Sequence, residues 1–144
     1  MSAALQRRVL ARMLDANINR AFEGLRVCED LLRFGAVHGA PYGTVRALRH
    51  ALSTQVAHLP MGARERVAAR NSRQDPGRAA RPSKGGARSL EHLLLINLQR
   101  AKEALRVLEE ASRLFAPRRV AGFQRLRFRL YNVERELLAT VRHR

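Results

Sequence analysis

Seventeen residues, Asn17–Arg33 (NINRAFEGLRVCEDLLR), return eighty positions later as Asn97–Arg113 (NLQRAKEALRVLEEASR), with nine positions identical. A repeat at a fixed offset constrains the architecture before any local pattern is weighed, because each copy has to build the same supersecondary unit. The identities are Asn, Arg, Ala, Glu, Leu, Arg, Val, Glu and Arg, so most of what is repeated is polar. A helix surface that needs only charge exchanges Arg for Lys and Glu for Asp freely. Here the same polar side chains recur while Phe22 faces Lys102, Cys28 faces Leu108 and Leu31 faces Ala111 in the alignment. The polar half of the repeat is therefore a candidate for function as well as packing.

Apolar residues at Leu14, Ile18, Ala21, Leu25, Cys28 and Leu32 alternate in steps of four and three, the seam of an amphipathic helix. The second copy carries the seam at Leu94, Leu98, Ala101, Leu105, Leu108 and Ser112. Gly35 and Gly39 stop the first helix, and Pro41 to Thr44 start a returning one that turns Val45, Leu48, Leu52 and Val56 inward and ends near Pro60. Ser89 is a good N-cap for the third helix, with Glu91 near its positive end. Pro117 opens a fourth, with Phe123, Leu126, Leu130, Val133 and Leu137 on its inner face. The expectation is an all-α, four-helix single domain over residues 1–144. Two pseudo-symmetric αα-hairpins, 5–59 and 89–143, would be joined by a long basic crossover loop, 60–88.

Pro60–Ser89 holds eight basic residues against two acidic ones, and apart from alanine its apolar side chains are Met61 and Val67. So long a loop inside a compact domain is uncommon and is either functional or disordered. Its second half, Arg78–Arg88, reads as a solvated linker. The first, Arg70-Asn71-Ser72-Arg73-Gln74-Asp75-Pro76-Gly77, has turn chemistry and one acid among arginines, which suits anion binding.

The net charge of +16 suggests an anionic partner. Only Lys84 and Lys102 are lysine among 28 basic residues, the mark of a GC-rich coding sequence, but codon bias explains Arg over Lys and not the shortage of acids. The partner can be as small as a nucleotide. A lone cysteine, Cys28, excludes an intramolecular disulfide and a cysteine-based zinc site. No apolar run reaches the length of a membrane span. Met1–Arg12 is Arg-rich and acid-poor like a transit peptide, but its apolar residues Leu5, Val9 and Leu10 run straight into the first helix, so it reads as structure and a cytoplasmic location is expected.

On a helical wheel Asn17, Arg20 and Glu29 flank the apolar seam, as do Asn97, Arg100 and Glu109, while Glu23, Arg26 and Arg33 point further out. Gly24 and Ala104 are small and leave room for close approach. Surface ion pairs account for the charges at about 0.3–0.5 kcal/mol each. They leave the mid-helix asparagines, mediocre helix formers, unexplained. There is no phosphate-binding glycine loop, no histidine pair at metal spacing and no strand pattern for a nucleotide-binding sheet. His50, a lone histidine after Arg46 and Arg49, reads as structural before it reads as a base.

Leu14–Ala21, Glu23-Gly24-Leu25-Arg26-Val27, Leu48-Arg49-His50, Asn97…Arg100…Glu103–Glu110 and Leu126–Tyr131 together resemble a small all-helical family of thiamine biosynthesis. Its members stand alone or fused ahead of thiamine-phosphate synthase, and the resemblance covers about residues 12–138. It implies a hydroxymethylpyrimidine-phosphate kinase that moves a phosphoryl group from ATP onto a phosphate monoester, with Mg²⁺. That acceptor is already mostly anionic near neutral pH and needs no general base, only two polyanions held in line by arginines and a metal. On this reading Arg20, Arg100, Glu29 and Glu109 are catalytic. Asn17, Asn97, Arg26, Arg106, Arg49, His50 and Arg70 bind substrate. The metal is held by Glu29, Glu109 or Asp75. The family usually has an acid after the position of Arg70; here it is Asn71, which shifts the metal role to Asp75. Association with thiamine-phosphate synthase, and a homodimer, are compatible with this reading. Its rivals are a basic helical RNA- or DNA-binding module, disfavoured by sparse aromatics and no tryptophan, and a non-catalytic partner of thiamine-phosphate synthase.

Overall fold

The computed structural model describes residues 1–35, 42–79 and 85–141. The expected breakers Gly39 and Pro41, linker residues Arg81 and Lys84, and the end of the second repeat at 143 lie outside the described residues. Among the described residues all regular structure is helical: α1 (Ala3–Phe34), α2 (Tyr42–Ala57), α3 (Ala63–Ala69), α4 (Leu90–Phe115) and α5 (Val120–Val141). Short 3₁₀ turns lie at Ser72–Gln74, Pro76–Ala79 and Pro117–Arg119.

The two longest helices, α1 and α4, start on a serine. The Ser2 hydroxyl accepts from the Leu5 amide and the Ser89 hydroxyl from the His92 amide, each satisfying a donor that a helix start leaves orphaned. Every seam residue of α1 and α4 is buried, from Leu14 to Leu32 and from Leu94 to Ser112. Leu5 and Val9 are exposed, so the N-terminal turns extend α1 without extending its buried face.

The four long helices close a ring in which α1 packs on α4, α4 on α5, α5 on α2 and α2 on α1. Leu25, Leu48, Leu52, Leu105, Leu126 and Leu130 meet at its centre, drawn from all four helices, and leave no water-sized space. At such a position a Leu→Ala change costs about 2–5 kcal/mol.

The pairing of α1 with α4 is antiparallel and unusually close. The Cys28 thiol donates to the Leu94 carbonyl (3.7 Å), and a Cβ placed on Gly24 would stand 3.0 Å from the Asn97 carbonyl oxygen and 3.4 Å from Ala101. The absence of a side chain at Gly24 is what lets the backbones approach. Burial pushes the Cys28 thiol up to about 12, so it behaves as a core group and not a nucleophile.

The crossover is not the plain loop expected between four helices. Its first half folds as α3, packed on α1. Met61 is buried, and so is Arg66, whose Nη1 donates to the Met61 carbonyl (2.6 Å). Burial lowers the Arg66 pKa, opposed by nearby Asp15. Two forks then fasten this segment to α1. Arg70 donates from Nε and Nη2 to the two oxygens of Asp15 (2.7 and 2.8 Å), and Arg7 does the same to Glu65 (2.6 and 2.9 Å). The second is exposed, so solvent screening leaves it with little weight.

Candidate functional site

The close approach at Gly24 leaves a furrow along one side of the α1–α4 pair, a cleft of about 630 Å³. Its lining is the repeat itself: Asn17, Arg20, Glu23, Gly24 and Val27 from α1, and Asn97, Arg100, Glu103, Ala104 and Val107 from α4. These are the same five alignment positions on each helix. The asparagines form the buried edge of the cleft. Each Nδ2 donates four residues back along its own helix, Asn17 to the Met13 carbonyl and Asn97 to the Leu93 carbonyl, both at 2.9 Å. This locks the amide and gives each mid-helix asparagine, left unexplained by surface ion pairs, a partner in its own helix.

Arg20 and Arg100 are exposed at the rim. Arg20 reaches only the Asn17 amide oxygen, at 3.4 Å. Among the described residues neither arginine has a carboxylate within ion-pair distance. Glu23 likewise lacks an ion-pair partner, and Glu103 accepts only from the Gln99 amide (3.0 Å). The wheel placed Glu23 further out; it lines the cleft because α4 lies beside it. Glu23, Glu103 and the two valines are the residues sequence reasoning missed. Their recurrence at the repeat offset was the available signal.

The other expected site residues are not in the cleft. Glu29 and Glu109 are 3% and 1% exposed and are held by arginines of the returning helices. Arg49 gives Glu29 two hydrogen bonds (2.5 and 3.1 Å), and Arg127 gives Glu109 one (2.9 Å). The bond from Arg49 holds the Glu29 carboxyl below its ordinary range, against the effect of burial. Arg26 and Arg106 are exposed and lie 3.7 and 3.6 Å from the same carboxylates, with Asp30 and Glu110 as second partners. His50 is exposed on α2. Arg70, expected to grip an anion, grips Asp15 instead.

Asp75, the expected metal ligand, is exposed and uses Oδ1 to accept from the Gly77 amide (2.7 Å), closing a turn. No group of three His, Cys, Asp or Glu side chains gathers among the described residues. Asp75, Glu29 and Glu109, the alternative metal ligands expected from the sequence, each already have a partner within the protein. Two of them are committed to guanidinium groups and the third to its own turn.

The model of the ThiD2 family matches residues 12–136, a span that contains both copies of the repeat and the whole cleft. The chain belongs to the ThiD2 family. It is 38% identical over 136 residues to a thiamine-phosphate synthase of Nostoc sp. (strain PCC 7120 / SAG 25.82 / UTEX 2576), covering 94% of this chain and 37% of that protein. To the thiamine-phosphate synthase of Gloeobacter violaceus it is 39% identical over 134 residues, 92% of this chain and 37% of the relative. That of Nostoc punctiforme gives 37% over 136 residues, with 94% and 37% covered. The chain thus spans little more than a third of the length of these relatives. No solved structure matches it. The expectation of a phosphomethylpyrimidine kinase is overturned here: the relatives that cover nearly the whole chain carry the name of a synthase, a different enzyme. No helix of the described residues is long and apolar enough to cross a membrane.

Proposed function

We propose that this chain is the substrate-holding helical unit of a thiamine-phosphate-forming system, and that the α1–α4 cleft binds a phosphorylated heterocycle, the hydroxymethylpyrimidine phosphate. Thiamine phosphate is itself a phosphate ester of linked heterocycles, so a protein that makes it handles ligands with an anionic end and a flat, amine-bearing ring. The chain spans 37% of the relatives, and the reading is accordingly of a unit that holds substrate, not of the complete synthase.

One observation carries the reading. Among the described residues Arg20 and Arg100 stand in one cleft with no carboxylate within ion-pair distance, while Arg49, Arg70 and Arg127 are all committed to carboxylates. An arginine fork matches phosphate geometry and stays charged at every relevant pH. The valines offer an apolar wall for a ring, and the two glutamates accept from ring amines.

Calorimetric titration tests it. The pyrimidine phosphate should bind at least tenfold more tightly than the unphosphorylated hydroxymethylpyrimidine, because the alcohol gives the arginine forks no anion to hold. Affinity should rise as pH passes about 6, where the monoester gains its second charge. Equal affinity for the two compounds at pH 8 would refute the reading.

A further inference from the structure

The antiparallel register decides which cleft residues are neighbours. With Cys28 beside Leu94 and Gly24 beside Asn97 and Ala101, positions on the two helices that face each other sum to nearly the same value throughout. Arg20 therefore lies across from Glu103 and Asn17 from Val107, while Arg100 lies across from Glu23 and Asn97 from Val27. All eight line the cleft. Each end has an arginine and an asparagine from one helix, a glutamate and a valine from the other, and a small residue, Ala104 or Gly24, beneath.

We propose that the cleft is two equivalent half-sites, Arg20/Asn17/Glu103/Val107 and Arg100/Asn97/Glu23/Val27, each taking one molecule that bears a phosphate and a hydrogen-bond-donating ring, so that one chain holds two ligands. The proposal rests on the reading of the cleft as a phosphate-ester site and goes beyond it in stoichiometry and in the role of the glutamates. A single ligand spanning both arginines would need an anion at each end. It would then set its anionic ends beside Glu103 and Glu23 with nothing to donate to them. A ligand with one anion and one donor satisfies each end separately: its phosphate meets the arginine, its ring amine meets the glutamate of the facing helix, and its ring lies on valine.

Titration of the full chain with the aminopyrimidine phosphate, and in parallel with inorganic phosphate, tests this. The wild type should bind two equivalents of the aminopyrimidine phosphate. Arg20→Ala and Arg100→Ala should each bind one, and the double variant none. Glu103→Gln should weaken one of the two aminopyrimidine sites about tenfold, the scale of one hydrogen bond to a charged group. The same change should leave inorganic phosphate unchanged or slightly tighter, because it removes a like charge. One equivalent in the wild type, abolished by either arginine change, would overturn the two-site reading and leave the phosphate-ester cleft standing. Two equivalents with no response to Glu103→Gln would remove the glutamates from recognition. No binding of any phosphate ester would overturn both readings.

Discussion

Glu29 and Glu109 sit on equivalent turns of α1 and α4, each buried against an arginine from the returning helix, yet the two pairs are not alike. In the first half Arg49 uses Nε and Nη2, so both oxygens of Glu29 are satisfied. In the second only Nε of Arg127 reaches Glu109, and Oε1 is left buried without a partner, as is the nearby Ser112 hydroxyl. The guanidinium of Arg127 also lies 5.1 Å from the Phe128 ring centroid and 6.0 Å from that of Tyr131. The corresponding residues after Arg49 are His50 and Ser53, which present no such aromatic pair. The same guanidinium is thus shared between a carboxylate and an aromatic face in one half and given wholly to the carboxylate in the other. Both halves keep a buried glutamate–arginine pair, with different geometry.

The largest effects should come from removing the arginines. Arg49→Leu and Arg127→Leu each strand a buried carboxylate, a loss of about 3–5 kcal/mol in urea unfolding. Arg127→Leu should be the worse of the two, since it also gives up a cation–π contact worth about 0.5–1 kcal/mol. A loss under about 1 kcal/mol for either would mean that its glutamate finds water.

Replacing the acids sharpens the contrast. In Glu29→Gln an amide NH₂ must face an arginine N–H, costing about 1.5–3 kcal/mol. In Glu109→Gln the NH₂ can take the place of the oxygen that has no partner, so the loss should fall below about 1 kcal/mol. Equal losses would make the difference between the halves energetically empty. The Glu29 deficit should also depend on pH. Its folded pKa is depressed, so the pair's contribution is fully present above the ordinary glutamate range and is lost as pH falls through the folded value. Wild type and Glu29→Gln should therefore converge in strong acid.

The packing was largely legible in the sequence. The period-3.6 seams of both copies and the inner face of α5 are buried as the pattern requires, because apolar burial drives both. Helix α3 was not legible: its buried residue is Arg66, so hydrophobic periodicity gives no sign of it. The role of Arg127 was hidden by a change of offset. Arg49 follows its glutamate by 20 residues and Arg127 by 18, so an eighty-residue comparison passes over it. The repeated Asn17, Arg20, Asn97 and Arg100 line one cleft, but a wheel for one helix cannot show which outward residues a second helix turns into it. Glu23 and Glu103 line the cleft for that reason, and Glu29, Glu109 and Asp75 lie outside it, each with a partner within the protein.

The most direct test of the central claim separates cleft arginines from structural ones in a single spectrum. The Nε–Hε resonances of Arg20, Arg100, Arg49, Arg70 and Arg127 can be assigned by single substitution and followed while the aminopyrimidine phosphate is added. Arg20 and Arg100 should shift with saturation, while Arg49, Arg70 and Arg127, already bonded to Glu29, Asp15 and Glu109, should stay where they are. Shifts at Arg49, Arg70 or Arg127 with Arg20 and Arg100 unmoved would contradict the account and place the ligand away from the α1–α4 cleft.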